Sequence, residues 1–234
     1  MNKPWIMTQA WRDVVFLHWP ISVQSLKPFI PQELQIDLFE GQAWIGIVPF
    51  VADWTRPRFL FPVPFTRKYY ELNVRTYVRH KGRPGVFFFS LDANSLLAVK
   101  AASIGGFLPY RHAQMKWIKH KDRRLFISEY ENGDSSENFR LGFTPTAGTL
   151  KASNHELWLT ERYYLWTKPK DVLWRVDIEH TPWQLQNVHI EIMENSLARY
   201  LTEDLSTQPL KHFSAYKRVR FFPPIAEKQQ TDRF

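Results

Sequence analysis

The sequence contains no cysteine and only nine glycines in 234 residues. Without cysteine, the chain can form neither a disulfide nor a thiolate metal site, which is typical of a protein from a reducing compartment. The longest apolar stretch, residues 44–52, contains Gly46 and Pro49 and falls short of the roughly 20 residues of a membrane-spanning helix. The first residues lack the basic and then apolar pattern of a secretory signal. We therefore expect a cytoplasmic protein with no membrane segment.

Several motifs of common enzyme classes are also missing. The sequence has no G-x-S-x-G nucleophile elbow, no phosphate-binding glycine loop and no dinucleotide fingerprint. Its histidines do not show the His-Glu-x-x-His spacing of zinc proteases. His189 and Glu191 share a strand face but lack the cysteine pair of a zinc deaminase, so they suit an ion pair or one edge of a pocket. We predict neither a cofactor nor a metal.

Acidic residues are the minority, because 23 Asp and Glu face 31 Lys and Arg for a formal net charge of +8. A basic balance favours anionic partners, including nucleic acid. The basic residues concentrate in residues 116–124 and 217–220, with Trp117 as a potential stacking partner for a base. Arg218 and Arg220 alternate with Lys217, Val219 and Phe221, as in a charged strand edge. We favour solvated hairpins over a nucleic-acid interface at both clusters.

What the chain has in abundance is aromatic residues, with eighteen Phe, ten Trp and nine Tyr, enough to fill a thick core or line a cavity. No repeat or linker divides the chain, so we predict one domain over residues 1–234. Residues 131–138 are nearly free of apolar side chains and predict a long hairpin turn. Strand-like runs cover residues 14–18, 44–50, 71–79, 86–90, 115–119, 125–129, 157–166, 172–178, 188–192 and 216–222. Ten such runs predict a mainly β fold (β-rich α+β), an antiparallel barrel or sandwich.

Helices are predicted to be few and short. The clearest candidate is residues 92–103, with Asp92 as the N-terminal cap and Gly105-Gly106 as the stop. Shorter helices are expected after Ser22 and Glu194. Because strands greatly outnumber helices and do not alternate with them, a doubly wound parallel sheet is excluded.

A row of polar residues marks the run at residues 71–78. Period-two geometry places Glu71, Asn73, Arg75 and Tyr77 on one strand face and apolar residues on the other. Such a face commonly meets water. The alternative is an enclosed pocket, where a carboxylate and a guanidinium could orient a polar ligand.

A second polar group, Tyr110, Arg111 and His112, follows the predicted helix. A phenol, a guanidinium and an imidazole could together bind an oxyanion and transfer a proton at neutral pH. The alternative is an ordinary surface turn. His18 and Trp44 present the same choice in apolar surroundings, where packing is the commoner role and ligand contact the rarer one.

Several segments, in order along nearly the whole chain, resemble the uncharacterised bacterial YqjF-like family. The resemblance is carried by VVFLHWP at residues 14–20, AWIGIVPF at 43–50, ELNVRTYV at 71–78, PGVFFFSLDA at 84–93, LPY at 108–110 and LTERY at 159–163. That family is itself a domain of unknown function, so this resemblance implies no activity.

The family in turn resembles acetoacetate decarboxylase, which implies an antiparallel β cone or barrel around a small-molecule pocket. The decarboxylase uses the glutamate of a Tyr-x-Glu strand and the lysine of a loop after a helix. Here Glu71 matches that glutamate, whereas Tyr110 stands at the position of the Schiff-base lysine and Arg111 at that of its helper lysine. A phenol cannot condense with a ketone as an amine does, so we predict no Schiff-base decarboxylation.

Together these features predict a protein that binds, or also transforms, a small anionic or carbonyl-bearing molecule in an internal pocket. The expected residues are Glu71, Tyr110 and His112 for catalysis, and Arg75, Arg111, Asn73, His18 and Trp44 for ligand binding. As an enzyme it would be a cofactor-independent lyase, isomerase or hydrolase. The alternatives are a non-enzymatic sensor or binding protein and a binder of nucleic acid or anionic surfaces. A homo-oligomer fits the resemblance, because related folds form oligomers.

Overall fold

The computed structural model describes residues 4–61, 68–103 and 108–227. Strands predominate: β1 Met7–Ile21, β2 Gln35–Ile36, β3 Ala43–Pro57, β4 Lys68–His80, β5 Arg83–Ala93, β6 Tyr110–His112, β7 Gln114–His120, β8 Arg123–Asn132, β9 Ser135–Pro145, β10 Tyr164–Thr167, β11 Trp174–Glu179, β12 Val188–Asn195, β13 Leu210–Phe221 and β14 Ile225–Ala226. Three α-helices accompany them: α1 Val23–Leu26, α2 Leu96–Ser103 and α3 Asn154–Thr160. Two single 3₁₀ turns cover Lys27–Phe29 and Pro169–Asp171.

Seven strands form a closed ring in the order β4, β3, β1, β13, β11, β10 and β5, and β5 pairs with β4 again. All neighbours in the ring are antiparallel except β10 and β5. The short strands β2, β6 and β14 extend this barrel from β4, β5 and β11. Closure removes the exposed sheet edges that would otherwise promote aggregation.

A second antiparallel sheet, in the order β12, β9, β8 and β7, covers one side of the barrel. Its inner face carries Phe126, Phe139 and Phe143, all fully buried, and the Phe143 ring lies 6.2 Å from that of Phe213 in β13. Each such buried phenylalanine contributes roughly 1.5–3 kcal/mol through the hydrophobic effect. This core joins the two sheets into one packed unit.

Strand β1 is buried on both faces, which explains its continuous apolar sequence. Val15 and Leu17 pack in the core shared with the second sheet, whereas Val14 and Phe16 pack inside the barrel. A strand between two layers loses the alternation of polar and apolar residues that marks a half-exposed strand.

The predicted mainly β fold is confirmed. The helix predicted after Ser22 is also present, as α1, and the Ser22 hydroxyl caps it by accepting a hydrogen bond from the amide of Ser25 at 3.1 Å. The strand predicted at residues 157–166 is wrong over its first half. There α3 forms, because Ser153 and Glu156 make a reciprocal capping box at its N-terminus. Only the second half is a strand, β10.

Helix α2 begins at Leu96, four residues later than predicted. Asp92 belongs to β5 and binds Arg111, and the Ser95 hydroxyl accepts the hydrogen bond from the amide of Ala98 at 3.2 Å. Gly105 and Gly106, the predicted stop, lie outside the described residues. After Glu194 the described chain continues β12 to Asn195 and then forms turns, so the third predicted helix is wrong.

The predicted long loop at residues 131–138 is a tight hairpin. Strands β8 and β9 leave only Gly133 and Asp134 between them. Gly133 has a φ of 59°, a left-handed conformation that glycine adopts without a steric penalty. The polar composition of this segment reflects exposed strand ends and not a flexible loop.

No helix among the described residues is long and apolar enough to cross a membrane.

Candidate functional site

The barrel encloses a cavity in which about 50 Å³ is open to the centres of water molecules. Such a space accommodates several waters or one small organic molecule. Its apolar wall includes Trp11, Val14, Phe16, Val48, Phe50, Val86, Phe88, Leu91, Leu108, Leu165, Ile178, Trp183 and Phe221. Its polar wall is made of Gln9, Glu71, Asn73, Arg75, Tyr110, Thr160, Arg162 and His180.

An irregularity in β1 shapes the cavity wall. The register between β1 and β3 shifts between Arg12 and Leu17, and Asp13 has a φ of 50°. This bulge interrupts the alternation of side chains, so Trp11 and Val14 both face the cavity although they are an odd number of residues apart.

Glu71, on β4, is the acidic group of the cavity and is only 3% exposed. The Tyr110 hydroxyl donates a long hydrogen bond of 3.3 Å to its Oε2 atom. Burial raises the pKa of Glu71 to about 7, against hydrogen bonds from Tyr69 and Tyr110 that lower it. A carboxyl group with such a pKa exists in both protonation states at neutral pH, as proton transfer requires.

Gln9 organises the surroundings of this glutamate. Its Nε2 atom donates to the Tyr69 hydroxyl at 2.7 Å, and its Oε1 atom accepts from the Trp11 indole at 2.6 Å. Because the Tyr69 oxygen accepts from Gln9, its own proton is free for Glu71. Glu71 therefore sits between two phenols, Tyr69 and Tyr110.

Arg75 lies four residues after Glu71 on β4, and its guanidinium is a charged group in unusual surroundings. Its Nε and Nη2 atoms are shielded from solvent and have no hydrogen-bond partner in the described part of the chain. Its guanidinium lies over the rings of Phe16, at 5.7 Å, and Tyr77, at 5.9 Å. Asn73, between Glu71 and Arg75, also has an unpartnered buried oxygen, Oδ1, within residues 4–61, 68–103 and 108–227. The polar face predicted for β4 thus lines the pocket instead of meeting water.

Arg162, after α3, brings a second guanidinium to the cavity. Its Nη1 atom donates to Asp37 at 2.6 Å and its Nε atom to the carbonyl of Trp158 at 2.6 Å. Its Nη2 atom is buried without a partner among the residues described. Because Asp37 pairs with Arg162, the guanidinium of Arg75 is the lining cation without a carboxylate partner among the described residues, and it favours an anionic ligand. Within the described ranges, no three His, Asp or Glu side chains converge in a metal-binding arrangement.

His18 is fully buried behind this wall and does not line the cavity. His18 pairs with Gly46 on the neighbouring strand β3. A Cβ atom at Gly46 would lie 3.2 Å from His18 Cδ2, 3.4 Å from the Tyr77 hydroxyl and 3.5 Å from Arg75 Cγ. The absence of a side chain at Gly46 therefore lets these three residues converge. Burial, followed by the charge of Arg75, holds the pKa of His18 well below its usual value, so the ring is neutral.

The three adjacent residues of β6 are separated by the structure. Tyr110 reaches the cavity, but Arg111 points the other way and binds Asp92 at 2.6 and 2.9 Å and Glu137 at 2.6 Å. His112 is exposed and does not line the cavity. Successive residues of a strand face opposite sides, which turns Arg111 away from Tyr110. His112 shares the side of Tyr110 but lies at the end of β6, beyond the cavity wall.

Trp44 also lies outside the cavity lining, with its ring 4.5 Å from that of His155. Of the five residues expected to bind a ligand, Asn73 and Arg75 lie in the cavity wall, whereas His18, Trp44 and Arg111 lie outside it.

Sequence reasoning missed four polar residues of the lining, Gln9, Thr160, Arg162 and His180, as well as aromatic residues such as Trp183. The LTERY segment that carried the family resemblance includes Thr160 and Arg162, so it held a usable signal. His180 and Trp183 lie in an irregular stretch after β11 with no motif around them. Only the folded chain brings them to the cavity wall.

Several solved structures share this fold at low sequence identity. They include an acetoacetate decarboxylase-like enzyme from Sphingomonas wittichii RW1, with a TM-score of 0.66 and 13% identity over 97% of this chain and 94% of that one. The enduracididine biosynthesis enzyme MppR complexed with pyruvate has a TM-score of 0.64 and 11% identity over 97% and 91%. Acetoacetate decarboxylase from Legionella pneumophila has a TM-score of 0.63 and 14% identity over 98% and 90%. At these identities the likeness shows a shared fold, as the sequence predicted.

Much closer in sequence is the uncharacterized protein YqjF of Bacillus subtilis, which is 42% identical over 223 residues, 94% of this chain and 91% of that protein. The model of the DUF2071 family, described as an uncharacterized conserved protein, matches residues 8–217. A match over most of the chain and a close relative of similar length agree with the resemblance seen in the sequence. The chain therefore belongs to the DUF2071 family.

Proposed function

We propose that this protein binds a small organic acid with a carbonyl group, holding the carboxylate at Arg75 and the carbonyl at Glu71 and Tyr110. The observation that carries the proposal is the guanidinium of Arg75, which lines the cavity with two shielded nitrogens that lack a partner in the described chain. A shielded cation without a counter-charge is costly, and an anionic ligand would remove that cost. A guanidinium also matches a carboxylate in geometry, because it can donate two parallel hydrogen bonds.

Glu71 and Tyr110, in the wall of the same cavity, suit proton transfer to or from a carbonyl compound. Burial and the nearby Glu71 hold the pKa of Tyr110 well above its usual value, so its hydroxyl stays a proton donor. Glu71, with a pKa of about 7, can accept or give a proton. With tyrosine at the place of the lysine, chemistry without a Schiff base is expected, in the class of lyases, isomerases or hydrolases.

Two further observations support a small acid as the ligand. The cavity is too small for a large cofactor, and MppR, which shares the fold, is described in complex with pyruvate. Fold alone does not carry function, so this likeness adds only to the choice of compounds to test.

The competing role in nucleic-acid binding is weakened by the position of Lys217. This residue is 4% exposed, and its ammonium donates to the carbonyl of Pro182 at 2.6 Å. The basic cluster at residues 217–220 therefore presents fewer surface charges than its sequence suggests. Binding of DNA or RNA that weakens steeply with salt would favour this alternative, and no binding at low salt would reject it.

The proposal is tested by thermal unfolding in the presence of pyruvate or acetoacetate. Two comparison probes are acetate, which lacks the ketone carbonyl, and acetone, which lacks the carboxylate. We expect pyruvate or acetoacetate to raise the Tm in a dose-dependent way and acetone to leave it unchanged. The Arg75→Met variant should lose this shift without a lower Tm of its own, since it removes an unpaired shielded charge. Arg56→Met, at an exposed site, is the matched control.

The outcome separates the remaining alternatives. Stabilisation with turnover that is lost in Glu71→Gln and Tyr110→Phe identifies an enzyme. Stabilisation without turnover of either acid identifies a binding or sensor protein. Stabilisation that is unaffected by Arg75→Met contradicts the proposed carboxylate site.

A further inference from the structure

His180, just after β11, is a cavity residue with a defined hydrogen-bonding state. Its Nδ1 atom lies 2.9 Å from the carbonyl oxygen of Thr181. A carbonyl can only accept, so Nδ1 carries the proton and Nε2 keeps a free lone pair. The ring is held between the aromatic rings of Tyr163, at 4.7 Å, and Trp183, at 5.1 Å.

The loop that carries His180 is fastened from two sides. The backbone amide of Trp183 donates to Glu161 Oε1 at 2.8 Å, and its indole donates to the carbonyl of Thr160 at 3.0 Å. From β13, Lys217 donates to the carbonyl of Pro182 at 2.6 Å. These bonds fix the imidazole relative to the cavity, which a group that transfers protons requires.

The charges around His180 favour its neutral form. Burial lowers the pKa of His180, and the cations Lys217 and Arg75 lower it further, whereas the Thr181 hydrogen bond and the Glu161 carboxylate oppose the shift. Glu71 has the opposite behaviour, because burial raises the pKa of this carboxyl to about 7. One cavity thus holds a neutral imidazole and a carboxyl that keeps its proton up to neutral pH, a combination typical of paired bases and acids.

We propose that His180 is a second proton-transfer residue that acts with Glu71 to interconvert the keto and enol forms of the bound acid. This inference rests on the proposed function and specifies its reaction class. His180 Nε2 takes a proton from the carbon next to the carbonyl, and the C–H electron pair forms the new C=C bond. The carbonyl π pair moves to oxygen, which takes the proton of the Glu71 carboxyl. The reverse steps restore the ketone, the neutral imidazole and the protonated carboxyl.

The test is exchange of the methyl protons of pyruvate for deuterium in D₂O, followed by proton NMR. The wild type should accelerate exchange, and His180→Asn should lower the rate by about 100-fold or more. Asparagine keeps a donor for the Thr181 carbonyl but provides no base, so the loop anchor is preserved. His120→Asn, at an exposed histidine outside the cavity, is the matched control and should exchange as the wild type does.

The pH profile separates a proton-transfer role from a structural one. The exchange rate should fall above about pH 7 as Glu71 loses its proton, and should fall in acid as His180 gains one. The acid limb should disappear in His180→Asn and the alkaline limb in Glu71→Gln.

Binding of pyruvate, measured by thermal shift on the same samples, distinguishes the two proposals. If pyruvate stabilises the protein but its protons exchange no faster than in buffer, or equally fast in His180→Asn, the role of His180 is overturned and the binding proposal stands. If neither pyruvate nor acetoacetate stabilises the protein, the proposed function fails and this inference fails with it.

Discussion

At the scale of single residues, the unusual feature lies on β4. The side chains of Glu71 and Arg75 both line one cavity but form no ion pair with each other. Glu71 and Arg75 are four residues apart, which is about 13 Å along an extended strand. Glu71 is buried and two guanidinium nitrogens of Arg75 are shielded from solvent, and no direct ion pair between the two side chains offsets the cost of this desolvation. Side chains retained at such a cost are commonly functional, because perturbed groups cluster at active sites.

Glu71 should make the stability of the protein depend on pH. Its pKa is raised from 4.5 to about 7, so the folded state binds the proton more strongly than the unfolded state does. Stability is then full below about pH 4.5 and falls as pH rises to about 7, by roughly 3 kcal/mol in all. Glu71→Gln mimics the protonated form. We expect it to match the wild type at pH 5 within about 1 kcal/mol and to be more stable at pH 8 by about 2–3 kcal/mol.

Urea unfolding at the two pH values measures this difference. Glu129→Gln, at an exposed position on β8, is the control and should show no such pH-dependent gain. Equal stability of Glu71→Gln and the wild type at pH 8 would show that burial does not raise the pKa of Glu71.

At the scale of elements, β5 and β10, the one parallel pair of the ring, approach each other closely at Gly85. A Cβ atom at Gly85 would lie 2.2 Å from the carbonyl oxygen of Tyr164 and 2.6 Å from the indole nitrogen of Trp166. Backbone cannot move aside as a flexible side chain can, so only glycine fits.

Gly85→Ala should therefore destabilise the protein by about 3 kcal/mol or more, at the upper end of overpacking effects. Chemical denaturation checks this value. Gly133→Asn is the control, because the Gly133 site is open and asparagine tolerates its positive φ. A change below about 1 kcal/mol in Gly85→Ala would mean that the two strands separate more easily than their packing indicates.

At the scale of the whole molecule, the pairing of β1 with β13 joins the first and last long strands and closes the barrel. The second sheet shares its core with the outer face of this barrel. Neither part can therefore lose its structure without exposing the apolar face of the other.

We accordingly predict a single cooperative unfolding transition, as expected for one domain over residues 1–234. Differential scanning calorimetry should give equal calorimetric and van't Hoff enthalpies. Two separate transitions would contradict the prediction and identify the sheet of β7, β8, β9 and β12 as an independent unit. The predicted homo-oligomer is a separate question, which light scattering on the same samples answers.

The placement of side chains can be predicted from sequence where a single strand carries the information. Glu71, Asn73 and Arg75 share a face by period-two geometry, and the structure places all three in the cavity wall. Arg111 and His112 adjoin Tyr110 in sequence, but the structure places both outside the cavity wall, because closeness in sequence does not ensure a shared pocket. The miss at α3 was of another kind, because the local capping box of Ser153 and Glu156 outweighed the strand-like composition that follows it.

By itself the sequence determined the mainly β class, the family and the polar face of β4, because alternation of side chains is a local property of the chain. Only the tertiary structure decided that this face is enclosed, that Arg162 and His180 join it and that Arg111 turns away. The physical reason is that barrel closure pairs strands far apart in sequence, and a cavity exists only between side chains that such long-range pairing brings together.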